Sequence, residues 1–154
     1  MILYFLISAA VVAADQLLKV WVVGNISLGG AVAFVPHVLG LTYVRNTGAS
    51  FSLLSDHTWL LTLLSAAASV TVAVLIAKRL FPHRVGMIGL ALVLGGAVGN
   101  LLDRVRLGYV VDMFETLFMN FAIFNIADMG IVIGGILVMV YLVFWYGKNE
   151  EEKP

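Results

Sequence analysis

The chain has no cysteine, which excludes disulfides, thiolate metal sites and a cysteine nucleophile. Proline is scarce, at 3 in 154 residues, and no Pro/Gly/Ser-rich linker or charge block divides the chain. No internal repeat or low-complexity segment is present. Charge is scarce too: 12% of residues are charged and the formal net charge is +0, whereas a soluble domain is about a quarter charged. That balance gives nothing with which to grip a nucleic acid. What fills the chain is apolar: 62% of its residues are hydrophobic and the mean hydropathy is +1.04. Such a composition belongs in a bilayer.

Four segments reach the roughly 20 residues that a crossing requires: Ile2–Val23, Thr58–Ala77, Val85–Leu102 and Ile126–Tyr146. The first has no basic n-region, and its apolar run resumes after Asp15, so it reads as a retained helix rather than a cleaved leader. The expectation is an all-α membrane protein with four transmembrane helices in one domain, residues 1–154. Lys78, Arg79 and Arg84 crowd the connection between helices two and three, while residues 24–57 carry only Arg45. By the positive-inside rule both termini are then cytoplasmic. Residues 32–51 mix β-branched and aromatic residues with glycines and a proline, which reads as short strands or a hairpin on the outer surface.

With that topology the polar residues meet at one level. Asp15 and Lys19 fall in the outer half of helix one, and Asn100, Asp103 and Arg104 at the outer end of helix three. Asn125 and Asp128 open helix four, and Asp112 lies in the outer connection before it. A carboxylate costs about 2.5 kcal/mol or more at mid-bilayer, so this clustering describes a site. Bland readings exist for parts of it. Asp15 and Lys19 are four apart and can form a structural ion pair. Arg104 can sit on the last carbonyls of helix three with Asp103 as its partner. Gly95/Gly99 and Gly130/Gly134 have GxxxG spacing, which lets helices approach closely in lipid and would draw helices three and four together.

Two carboxylates a few ångströms apart share a proton. One can then take a proton from water while the other polarises a peptide carbonyl. Asp112 and Asp128 suit that chemistry, and the pair titrates as a unit. Other sets are weaker. His37, His57 and His83 lack metal-ligand spacing; Ser50 and Lys19 allow a serine–lysine nucleophile in principle; Asp103, Asp112, Glu115 and Asp128 allow a divalent cation. A small proton-coupled transporter or channel is the competing function, and a non-catalytic assembly subunit is a third.

The blocks DQLLK (15–19), RNTGASF (45–51), GGAVGNLLDR (95–104), VVDMF (110–114) and FNIAD (124–128) stand in the order seen in lipoprotein signal peptidases, the signal peptidase II family. The chain resembles that family from helix one to helix four. The resemblance implies an aspartic endopeptidase of the bacterial cytoplasmic (inner) membrane with its active site near the outer face. Its substrates would be diacylglyceryl-modified prolipoproteins, cut just before the lipidated cysteine. It also implies a small extracytoplasmic β-cradle over about 24–57 and a lid or short helix over about 103–125, whose Phe114, Leu117, Phe118 and Met119 could meet acyl chains.

Carried over by motif, Asp112 and Asp128 are catalytic; Asn46, Gly48, Ala49, Asn100, Asp103, Arg104 and Asn125 bind substrate or support the site; Asp15 and Lys19 are structural. No metal or organic cofactor is implied. Membrane lipid surrounds the chain, a diacylglyceryl transferase acts upstream, globomycin is the expected inhibitor, and the chain is expected to be a monomer. Met113 and Met129 depart from the family's usual residues; both are apolar and flexible, which leaves the chemistry alone and could alter the shape of the substrate pocket. The 16-residue interval between the aspartates is short and suggests a reduced outer flap.

Overall fold

The computed structural model describes residues 1–48 and 58–146. Four helices are long and apolar enough to cross a membrane: α1 (Ile2–Asn25), α2 (Thr58–Ala77), α3 (Arg84–Leu107) and α4 (Ile126–Tyr141), the last continuing as a π-helical turn, Leu142–Tyr146. Three antiparallel strands, β1 (Ala31–Val35), β2 (Leu39–Asn46) and β3 (Val110–Thr116), form one sheet in the order β1-β2-β3. The fold is therefore helical with a small sheet at one end.

Helix α3 is the axle. It is the most buried of the four, and α1, α2 and α4 all pack on it. Glycine decides how close α4 comes. A Cβ at Gly96 would collide with the Ala127 carbonyl, and one at Gly134 would lie 2.5 Å from the Gly89 carbonyl. Backbone against backbone maximises dispersion contact where no hydrophobic effect draws helices together. The GxxxG expectation needs adjustment: Gly95 faces Ser8 and Val11 of α1, and it is Gly89, Gly96 and Gly99 that meet α4. The reason is rotational. Gly95 and Gly96 are adjacent, so they point about 100° apart and serve different neighbours.

Helix α3 also runs five residues beyond its expected end. Arg104 and Arg106 occupy its last turn, and Gly108, at φ 78°, caps it in the left-handed conformation with its N–H on the Arg104 carbonyl. Hydropathy stops at Leu102, but helical hydrogen bonding does not. The stretch expected as a lid, 103–125, therefore begins as helix and continues as β3. Leu117, Phe118 and Met119 follow that strand and are all exposed, while Phe114 is half-buried against Phe124.

The β1–β2 hairpin turns at Pro36-His37. Proline presets the first central position and His37 takes φ 62° at the second, with the Val38 N–H on the Val35 carbonyl at 3.0 Å; this is the type II geometry. Beneath the sheet, Val22, Ile26, Leu41, Tyr43, Val111 and Met113 form one core. A second, at the opposite end, joins Ile76, Phe81, Met87 and Leu90 to Tyr141. His83 caps α3 there and stacks on Trp145 at 4.6 Å.

Candidate active site

Asp112 lies on β3 and Asp128 in the first turn of α4; both line one cavity of about 800 Å³ between α2, α3, α4 and the sheet. Sheet register explains the first placement. Asn46 stands opposite Val110, so Asp112, two residues on, is its diagonal neighbour on the same face. The Asn46 amide donates to Asp112 Oδ2 at 2.8 Å. Helix capping explains the second. Asn125 is the N-cap of α4, accepting from the Asp128 N–H at 2.9 Å, while Asp128 Oδ2 accepts from the Asn125 N–H at 3.2 Å. This is a reciprocal capping box.

Asn125 ties the two carboxylates together. Its backbone N–H reaches Asp128, and its side-chain amide donates to Asp112 Oδ1 at 2.6 Å. Asn100 completes the set by donating to Asp128 Oδ1 at 2.7 Å. All three amides are held from behind: the oxygen of Asn46 accepts from the Gly48 N–H, that of Asn100 from Lys19 Nζ, and that of Asn125 from the Asp128 N–H. An amide whose oxygen is so occupied can only present its NH₂ to the carboxylate.

Asp112 is 2% exposed. Burial pushes its pKa up to about 6, the Asp128 charge adds to the rise, and the Asn46 and Asn125 amides oppose it. A carboxyl poised there can hold or release a proton near neutral pH.

Gly48 lines the same cavity, as does Arg104. Arg104 reaches Ser65 Oγ at 3.4 Å and the Gly48 carbonyl at 3.5 Å. It does not pair with Asp103, contrary to the bland reading of the last turn. Asp103 points the other way, toward Lys19 at 2.9 Å, because neighbouring positions on a helix face different sides. Asp15 and Lys19 are paired at 2.8 Å. Ala49, Ser50 and His57 lie outside the described residues.

Met113 is fully buried in the core beneath the sheet, so it does not shape the pocket; Met129, 42% exposed, does line it. Strand alternation is the cause, since Asp112 and Met113 must face opposite ways. Among the described residues no three His, Asp or Glu side chains come together as metal ligands. Sequence reasoning missed Gln16, whose amide bonds Asp103 at 2.9 Å and the Gly99 carbonyl at 3.2 Å. Its place beside Asp15 in DQLLK was the available signal.

A model of the signal peptidase (SPase) II family matches residues 7–144. The chain belongs to that family. Among its relatives, the lipoprotein signal peptidase of Enterococcus faecalis is 47% identical over 93% of this chain and 89% of its own length. That of Lactobacillus johnsonii is 43% identical over 96% of both. A solved bacterial membrane enzyme superposes with a TM-score of 0.90 at 30% identity, covering 100% of this chain and 94% of that one. A second reaches 0.85, again at 30% identity, over 94% of this chain and 95% of the other. The protein is thus a multi-pass bacterial membrane peptidase that removes signal peptides, and family membership does not favour the transporter reading.

Proposed function

We propose that the chain cleaves prolipoprotein signal peptides by aspartic catalysis, with Asp112 and Asp128 as the dyad. Its substrates are prolipoproteins, the class for which its relatives are named. The observation that carries the mechanism is the shared wall: both carboxylates line one cavity and both accept a hydrogen bond from Asn125. In the working state the pair holds one proton. The ionised member takes a proton from water as its oxygen attacks the scissile carbonyl, and the protonated member donates to the carbonyl oxygen. As the tetrahedral centre collapses, the carboxyl that took the water's proton delivers it to the departing nitrogen, and the other recovers its proton from the hydroxyl that becomes the new carbonyl.

The cavity suits a substrate that arrives in lipid. Leu64 and Ala68 of α2, Val93 of α3, and Ile131 and Val132 of α4 line it below the carboxylates. A signal helix seated there presents its scissile bond at the level of the dyad, just ahead of the lipid-modified cysteine. Lys78, Arg79 and Arg84 at the opposite end support a cytoplasmic location for both termini and an outward-facing site.

The test is direct. Purified protein in detergent is incubated with a diacylglyceryl-modified prolipoprotein and the size shift followed on a gel, with globomycin and EDTA lanes. Wild type cleaves with EDTA and is stopped by globomycin, while Asp112→Asn and Asp128→Asn do not cleave. Cleavage by either variant at the wild-type rate refutes the dyad.

A further inference from the structure

A lysine buried beneath a site is usually explained as charge compensation, yet the contacts of Lys19 are more specific than that. It is 3% exposed, and its partners Asp15 and Asp103 are 0% and 3% exposed. An ammonium carries three protons. Those of Lys19 meet Asp15 Oδ2 at 2.8 Å, Asp103 Oδ2 at 2.9 Å and Asn100 Oδ1 at 3.2 Å.

Each acceptor leads to an aspartate of the cavity. Asp103 Oδ2 accepts from the N–H of Val111 at 3.0 Å, the residue immediately before Asp112. Asp15 Oδ1 accepts from the N–H of Ala127 at 2.9 Å, the residue immediately before Asp128. Asn100 turns its amide onto Asp128 itself. Gln16 repeats the link, donating to Asp15 at 3.2 Å and Asp103 at 2.9 Å. The strand β3 and the helix α4 that follows it are thus each held, one residue ahead of their carboxylate, by acids that share one cation.

We infer that Lys19 is a positioning residue: its ammonium sets the separation of Asp112 and Asp128 by clamping together the two carboxylates that anchor their backbone segments. The inference rests on reading those two aspartates as the dyad. Charge compensation alone would be met by any placement of one lysine between two acids. It would not require both acids to end on the peptide groups preceding the dyad.

The experiment measures kcat and KM for prolipoprotein cleavage by the full-length chain in detergent, per folded molecule as counted by thermal melting. One variant is Lys19→Met, which keeps the aliphatic stem. The other is the triple variant Lys19→Met/Asp15→Asn/Asp103→Asn, which leaves no unpaired charge while retaining an acceptor for each N–H. Misplacement of a reacting group by about an ångström can cost on the order of 10²-fold. A kcat lowered by about that factor is expected in the triple variant with KM little changed, and in Lys19→Met wherever it folds. A triple variant with wild-type kcat overturns the inference, since compensation was then all that Lys19 supplied. Failure of both variants to fold overturns it as well, by making the ammonium a folding requirement. Asp112→Asn and Asp128→Asn run alongside: cleavage at the wild-type rate in either sinks the dyad reading whatever Lys19 does.

Discussion

Asn46→Ala is the sharpest probe of how the site is tuned. The Asn46 amide donates to Asp112 Oδ2 at 2.8 Å and stabilises the ionised carboxylate. A hydrogen bond to a charged group contributes about 1.5–3 kcal/mol, and one pKa unit corresponds to about 1.4 kcal/mol. Complete loss would therefore raise Asp112 by roughly one to two units. Asn46 is half-buried, so water replaces part of the bond, and a rise of about one unit is expected. Asp112 starts near 6; the titration step it governs should move toward 7. The assay is kcat/KM for prolipoprotein cleavage against pH, from about 4.5 to 9. Whichever limb lies nearest pH 6 in wild type should shift upward in the variant. A limb that stays in place while activity falls uniformly would refute the assignment of Asn46 as the donor that tunes Asp112.

Stability should respond to the same carboxyl with a defined sign. Its folded pKa, about 6, exceeds its ordinary 3.8, so the native state binds the proton more tightly and stability declines as pH rises through that interval. The contribution, up to about 3 kcal/mol, is fully present below pH 4, and the difference in thermal unfolding between wild type and Asp112→Asn at pH 4 and pH 7 isolates it. Gly96→Ala should cost about 1–3 kcal/mol by overpacking, because its Cβ meets the Ala127 carbonyl, whereas Gly135→Ala, with nothing within 4 Å, should be neutral in the same melting assay. Gly108→Ala places a Cβ at φ 78° and should cost about 1 kcal/mol, read as a lowered melting temperature.

Most of the membrane architecture was legible because apolar runs of helix length have few other uses in a chain so poor in charge. The level at which the polar residues meet was legible for the same reason, since intramembrane carboxylates stand out against hydrocarbon. Partnerships were not. The Asn46–Asp112 contact depends on strand register, which neither residue announces, and the direction of Asp103 depends on helix rotation. The end of α3 is not legible in hydropathy, which falls at Leu102 while the helix continues to Leu107. Arg104 and Arg106 lie beyond the apolar run, yet they suit the last turn of a helix, and Gly108 was the true stop signal. The Gly95/Gly99 spacing pointed to the right helix but in part to the wrong neighbour, since spacing alone does not give azimuth.

The choice of amides around the proposed dyad has a physical logic. Among the described residues neither Asp112 nor Asp128 has a Lys, Arg or His nitrogen within salt-bridge distance. A cation there would hold its partner ionised across the whole physiological range and leave no proton to share. A bare apolar pocket would do the reverse and keep both carboxyls neutral. Neutral donors from Asn46, Asn100 and Asn125 fall between these extremes, fixing each carboxylate in place while leaving its proton exchangeable. The buried Lys19 bonds Asn100 rather than Asp112 or Asp128, and Arg104, which lines the same cavity, bonds Ser65 and the Gly48 carbonyl. Position and protonation therefore meet in the same three amides, each of which holds a carboxylate without neutralising it.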